Sequence, residues 1–255
     1  MPVYLLASAC AVAVVFIASR VARRFRLGSE DAETDGPTNS HTGAMLSALF
    51  LVAFAIAIVV PWTSADAARL NTHTEGQAVV EAAWAAARLP APDGARVQNE
   101  LTGYARLVRD REWPRMREGR MDPAAASALD AIRRGVIAVR AEEDEEKDAR
   151  NAVLDQLSAI SSARQQRSMD AAISPPAGLL FITVVTGLVV LFLPFLSGAR
   201  PQRWTLVPLG IMAAMLGVGI WLAVDISHVF DGALAVPPDA FAAALTDLGR
   251  ITAGG

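Results

Sequence analysis

The chain has one cysteine, one lysine and no patterned histidine, and each scarcity excludes a class of chemistry. Cys10 sits alone inside an apolar stretch, so no intrachain disulfide can form and no cysteine-based metal site can be built. His41, His73 and His228 are scattered, without the paired spacing of metal ligands. There is no Gly-rich phosphate loop, no internal repeat and no nucleophile elbow around a serine. The acidic run 142–148 lacks the alternating ligand positions and glycine turn of a calcium loop, and reads instead as a solvated helix face. The sequence therefore predicts no metal, no cofactor and no enzymatic activity. A net charge of only −3 gives no reason to expect a nucleic-acid partner. Of the 23 basic residues all but Lys147 are arginine, which together with abundant alanine reads as GC-rich coding and a bacterial origin.

Charge is also missing from four long stretches, 3–19, 44–60, 177–199 and 204–224. A helix rises about 1.5 Å per residue, so roughly 20 apolar residues span a hydrocarbon core about 30 Å thick. A charged side chain at mid-membrane costs about 2.5–3.5 kcal/mol on insertion scales, and these stretches contain none. Hydrophobic residues make up 53% of the chain, above the roughly 45–50% of soluble domains. In a cleaved signal the positive charge precedes the apolar run. Here Arg20, Arg23, Arg24 and Arg26 follow it, which suits a retained anchor.

The expected fold is all-α: four transmembrane helices, with a helical soluble domain inserted between the second and third. The expected divisions are 1–62 (first helix pair and a polar loop), 63–174 (soluble domain), 175–225 (second pair) and 226–255 (a C-terminal segment with a short helix). The soluble part shows helical spacing throughout: Leu70, Gln77, Val80, Trp84 and Ala87; Val97, Leu101, Tyr104 and Val108; Leu129, Ile132, Val136 and Val139; then Val153, Leu157 and Ile160. Asp122 before Pro123 reads as an N-cap followed by proline in the first helical turn. Pro90, Pro92 and Pro114 are expected to divide the segment into three or four helices. One helix should end at Glu112-Trp113-Pro114, with Trp113 folding back onto the bundle. Glu112 should then cap the helix or pair with a nearby arginine, and if that pair is exposed, Glu112→Gln should cost under about 1 kcal/mol.

The short connections carry six arginines, whereas the middle domain offers only Arg69, Arg164 and Arg167 near the spans. Arginine in short loops tends to stay cytoplasmic. The count places the short loops inside and the helical domain outside, in a multi-pass plasma-membrane protein. In the fourth stretch Gly210 with Ala214, and Ala213 with Gly217, form small-residue pairs that allow close helix contact.

The segment 79–90 (VVEAAWAAARLP, with Glu81), Tyr104 and the run 111–119 that follows it (REWPRMREG, with Glu112, Trp113 and Pro114), and 229–241 (VFDGALAVPPDAF, with Gly232) together resemble the bacterial bestrophin-like membrane proteins. The resemblance covers nearly the whole chain. It implies two helices, a helical soluble domain and two more helices, in a lipid bilayer, as a homo-oligomer, with a pentamer and anion passage by likeness to bestrophin channels. Bestrophins have an aromatic neck on the second membrane helix, and Leu46, Phe50 and Phe54 share one face at four-residue spacing. These side chains either ring a constriction or face lipid or another helix. Asp225, His228 and Asp231, just past the fourth stretch, either form an ion vestibule or serve as helix-end and turn residues. The calcium-clasp acids of bestrophins have no counterpart here. Bestrophins also keep their soluble part cytosolic, opposite to the orientation that the arginine count gives. The other reading of the chain is a non-conducting scaffold or sensor whose helical domain binds a ligand or partner.

Overall fold

The computed structural model describes residues 5–6, 9–14, 16–17, 20, 37–172, 177–196 and 206–253. Most of the first polar connection and all of the second lie outside the described residues, as do parts of the first apolar stretch. Every regular element among the described residues is a helix, in keeping with the all-α expectation. We number them α1 (Pro37–Ala86), α2 (Asp93–Leu107), α3 (Trp113–Met116), α4 (Pro123–Ile137), α5 (Asp144–Ala172), α6 (Ala177–Leu196), α7 (Leu206–Ile226) and α8 (Asp239–Ala253). A single π-helical turn, Val108–Glu112, joins α2 to α3.

The chain divides into two compact units, one of residues 1–62 with 174–227 and the other of 63–173 with 228–255. Helix α1 contributes to both, because its apolar stretch continues without interruption through Pro61 into the polar region. Where the sequence predicts four spans, one helix among the described residues, Ser47–Ala86, is by itself long and apolar enough to cross a membrane. Shorter apolar stretches, Phe181–Phe192 and Gly210–Ile226, lie within α6 and α7. Ala213 of α7 is fully buried and packs with Leu191 of α6, so a small residue permits close contact at this point.

The second unit is a helical bundle built on the stripes that the spacing predicts. Val97, Leu101 and Val108, then Leu129, Ile132, Val136 and Val139, then Val153, Leu157 and Ile160, are all buried in one cluster. Helix α8 adds Phe241, Leu248 and Ile251 to the same cluster, so the C-terminal segment belongs to the bundle. Asp122 caps α4 as the sequence predicts: its Oδ1 accepts from the Ala124 N–H at 2.9 Å, with Pro123 in the first turn. The acidic run begins α5, and its Glu146 Oε2 accepts from the N–H groups of Glu142 and Glu143, at 2.9 and 3.4 Å.

Two local expectations are corrected. Of the stripe expected in this region, Val80 is buried in the core, but Leu70, Gln77 and Trp84 of α1 and Ala87 just beyond it are exposed, Leu70 and Trp84 by 62% and 52%. The inner face is Ala68, Thr72, Glu75, Val79, Ala82 and Ala86, small residues around one charge, and Gly76 lets the backbone of Ala240 come close. Nor does a helix end at Glu112-Trp113-Pro114. The π turn closes with the Trp113 N–H on the Val108 carbonyl, and α3 continues to Met116. A proline within an α-helix clashes with the carbonyl four residues earlier. The wider turn relieves that clash, and Pro114 then stands near the start of a new helical segment.

Candidate functional site

The extra residue in the π turn directs both Glu112 and Trp113 into the bundle, where they meet two arginines of α5. Arg164 and Arg167 continue the four-and-three spacing of Val153, Leu157 and Ile160, so they share the face of α5 that points inward. Glu75 occupies the same kind of position on the inner face of α1. Arg167 and both glutamates are fully buried, and Arg164 is nearly so.

The cluster has a closed hydrogen-bond inventory. Arg167 binds Glu75 as a fork, Nε to Oε2 at 2.6 Å and Nη2 to Oε1 at 3.0 Å, and its Nη2 also lies 2.8 Å from Glu112 Oε1. Its Nη1 points at the Met116 sulfur, 2.8 Å away. Arg164 Nη1 donates to Glu112 Oε1 at 2.5 Å and its Nη2 to the Asp122 carbonyl at 3.0 Å. Glu112 Oε2 accepts from the Asp122 N–H at 3.0 Å, and the Tyr104 hydroxyl donates to Glu75 Oε1 at 2.6 Å. All four carboxylate oxygens therefore have a donor, and two positive charges meet two negative ones. Such matching is what makes buried ions tolerable.

The Arg167 guanidinium lies 5.8 Å from the Trp113 ring centre and 5.5 Å from that of Phe241. Trp113 itself is buried edge-on against Phe230 and Phe241, and its Nε1–H donates to the Val236 carbonyl at 3.2 Å. Burial opposes the charge on Arg167, yet the neighbouring Glu75 and Glu112 outweigh it and hold its pKa above the ordinary arginine value. Arg164 balances likewise, burial against its bond to Glu112, and ends raised. Burial, followed by the charge of Glu75, pushes the Tyr104 hydroxyl well above the ordinary tyrosine value.

The Tyr104 shift has a definite sign. A tyrosine that keeps its proton more tightly when folded contributes fully below the unfolded pKa of about 10, and the contribution is lost as pH rises above that. The chain has only two tyrosines and one lysine, so few other groups titrate there. Thermal unfolding followed from about pH 8 to 11 should show an alkaline loss of stability that Tyr104→Phe reduces. At neutral pH the same variant should cost about 1.5–3 kcal/mol for the lost bond to a charged acceptor. An unaltered alkaline slope in the variant would place that titration elsewhere.

Of the residues singled out in the sequence, the cluster unites Tyr104, Glu112 and Trp113. Pro114 is exposed beside it. Glu81 is exposed on α1 and accepts from Gln77 Nε2 at 2.8 Å. Gly232 is exposed and takes a φ of +100°, a conformation that favours glycine, in the turn after α7. Asp225 is half-buried in the last turn of α7, whereas His228 and Asp231 are exposed at the two ends of a turn closed by the Asp231 N–H on the His228 carbonyl at 3.1 Å. The Leu46 side chain lies outside the described residues. The Phe50 and Phe54 rings stack at 5.5 Å and are each half-buried. Phe50 and Leu216 of α7 both lie over Gly187 of α6, and Phe54 lies over Gly219 of α7. Among the described residues, no group of three or more His, Cys, Asp or Glu could hold a metal ion.

An apolar helical unit and a helical bundle closed around buried ion pairs define an all-helical protein with a helix long enough for a bilayer. The family model of the Bestrophin-like domain matches residues 9–241, and the chain belongs to that family. The fold matches that of a solved crystal structure described only as a membrane protein, with a TM-score of 0.74 and 12% identity over 99% of both chains. No curated protein sequence matches.

Proposed function

We propose that the chain is an integral membrane protein with four membrane helices that assembles with copies of itself and passes anions, without enzymatic activity. The observation that carries this reading is the family match over 9–241, which reaches into all four uncharged stretches. In this reading the protein lies in the plasma membrane with its short loops cytoplasmic, and the oligomer is a pentamer by likeness to bestrophins. Leu46, Phe50 and Phe54 form the neck, using the part of each phenylalanine ring that stays open, and Asp225, His228 and Asp231 line a vestibule. Of the divisions at 1–62, 63–174, 175–225 and 226–255, the second and fourth together make the helical bundle, which serves as the frame.

A second reading, a non-conducting scaffold or sensor, is favoured by one observation: Phe50 and Phe54 already pack against glycines of their own chain. Anion flux from liposomes containing the purified protein separates the two. A channel with this neck gives anion-selective flux that Phe54→Ala changes several-fold. Absence of flux sinks the channel reading. Flux unchanged in Phe54→Ala removes Phe54 from the neck and leaves it as packing against Gly219.

A further inference from the structure

The segment 106–120 holds six arginines against three acids, on a chain whose net charge is −3. One of those acids is Glu112, which is fully buried and committed to Arg164 and Arg167. Arg109 pairs with Asp110, and Arg120 with Glu118. Arg111 and Arg115 instead converge on Asp122, whose side chain is 2% exposed.

Asp122 is fixed from every side. Its N–H bonds Glu112, its carbonyl accepts from Arg164, and its Oδ1 caps α4. Arg115 Nη1 reaches Oδ1 at 3.1 Å. Arg111 Nη2 stops 3.8 Å from Oδ2, too far for a hydrogen bond, and Oδ2 has no hydrogen-bond partner at all. Both arginine side chains remain open to solvent, by 62% and 47%. The pair thus carries one positive charge beyond what Asp122 neutralises. Each guanidinium has five N–H donors, most of them uncommitted to the carboxylate. The π turn is the device that produces this: one extra residue sends Glu112 inward while Arg111 and Arg115 stay outside, and π turns recur at functional sites.

The geometry points to Arg111 and Arg115, held over buried Asp122, as a binding site for a phosphate or phosphoester anion. Paired guanidinium forks match the spread oxygens of such a group, and an anchor already fixed by the core spares much of the ordering cost. The anion could be a lipid headgroup or a soluble phosphate compound; the recognition chemistry is the same. The inference does not depend on whether the protein conducts.

The test uses the full chain in a non-ionic detergent, with inorganic phosphate titrated at constant ionic strength and thermal unfolding as the readout. The wild-type midpoint should rise saturably with phosphate. Arg111→Gln, at an exposed position without a hydrogen bond to Asp122, should fold normally and need about tenfold more phosphate for the same rise. A parallel arm compares nanodiscs of phosphatidylglycerol and phosphatidylcholine. A higher midpoint in phosphatidylglycerol that Arg111→Gln abolishes assigns the site to lipid headgroups, while a response to free phosphate alone assigns it to a soluble phosphoester. No response of the wild type in either arm, or an equal response of Arg111→Gln, overturns the site.

Discussion

Arg167→Ala should destabilise the folded protein by about 3–5 kcal/mol, the cost of leaving buried charges without their partner. The variant removes the cationic partner of Glu75, leaving it the Tyr104 hydroxyl, and leaves Glu112 with Arg164 and the Asp122 N–H. It also opens the space between Trp113 and Phe241. The measurement is thermal or denaturant unfolding of the full chain, read beside its yield in detergent. Arg167→Lys keeps the charge but not the fork, and should recover only part of the loss. Glu112→Gln belongs to the same experiment: its carboxylate is fully buried and holds both arginines, so its replacement should cost well over the 1 kcal/mol or so expected of a surface pair. If Arg167→Ala unfolds at the wild-type midpoint, the cluster is not what holds the bundle together.

Trp113→Ala should cost about as much, roughly 3–5 kcal/mol, for a different reason. The indole is 4% exposed and fills the space between Phe230, Phe241 and Arg167, so its removal leaves a cavity that rigid helices cannot close. Trp113→Phe keeps most of the volume and loses the bond to the Val236 carbonyl, so it should fall between the two. The full chain is the right object for this measurement, because an isolated 63–174 fragment lacks Val236 and Phe241. A melting point unchanged in Trp113→Ala would move the residue out of the core and toward contact with a partner or lipid.

Much of the bundle is legible in the sequence because its stripes carry branched and aromatic side chains, as at Val97, Leu101 and Tyr104. The inner face of α1 is not, because it is built largely from alanine. Alanine gives little amphipathic contrast, so the larger Leu70 and Trp84 point a reader to the outer face. Trp113 is legible as a residue that packs on the bundle, but the burial of Glu112 beside it is not, since no local spacing announces a π turn. Arg164 and Arg167 escape notice for a simpler reason: charge ordinarily signals surface. Their register is the available signal. They stand where the stripe through Val153, Leu157 and Ile160 requires inward residues, and a charge at such a position calls for an opposite one nearby.

The bundle's two parts, 63–173 and 228–255, are separated in the chain by the second pair of apolar stretches. During synthesis, at roughly 5–20 residues per second, Arg164 and Arg167 emerge seconds before Val236 and Phe241 exist. Until then Trp113 lacks its carbonyl acceptor and Arg167 lacks one of its flanking rings. This protein therefore cannot finish its helical bundle before its last apolar helices have been made, and the nascent chain must carry a half-built charged core while they are synthesised.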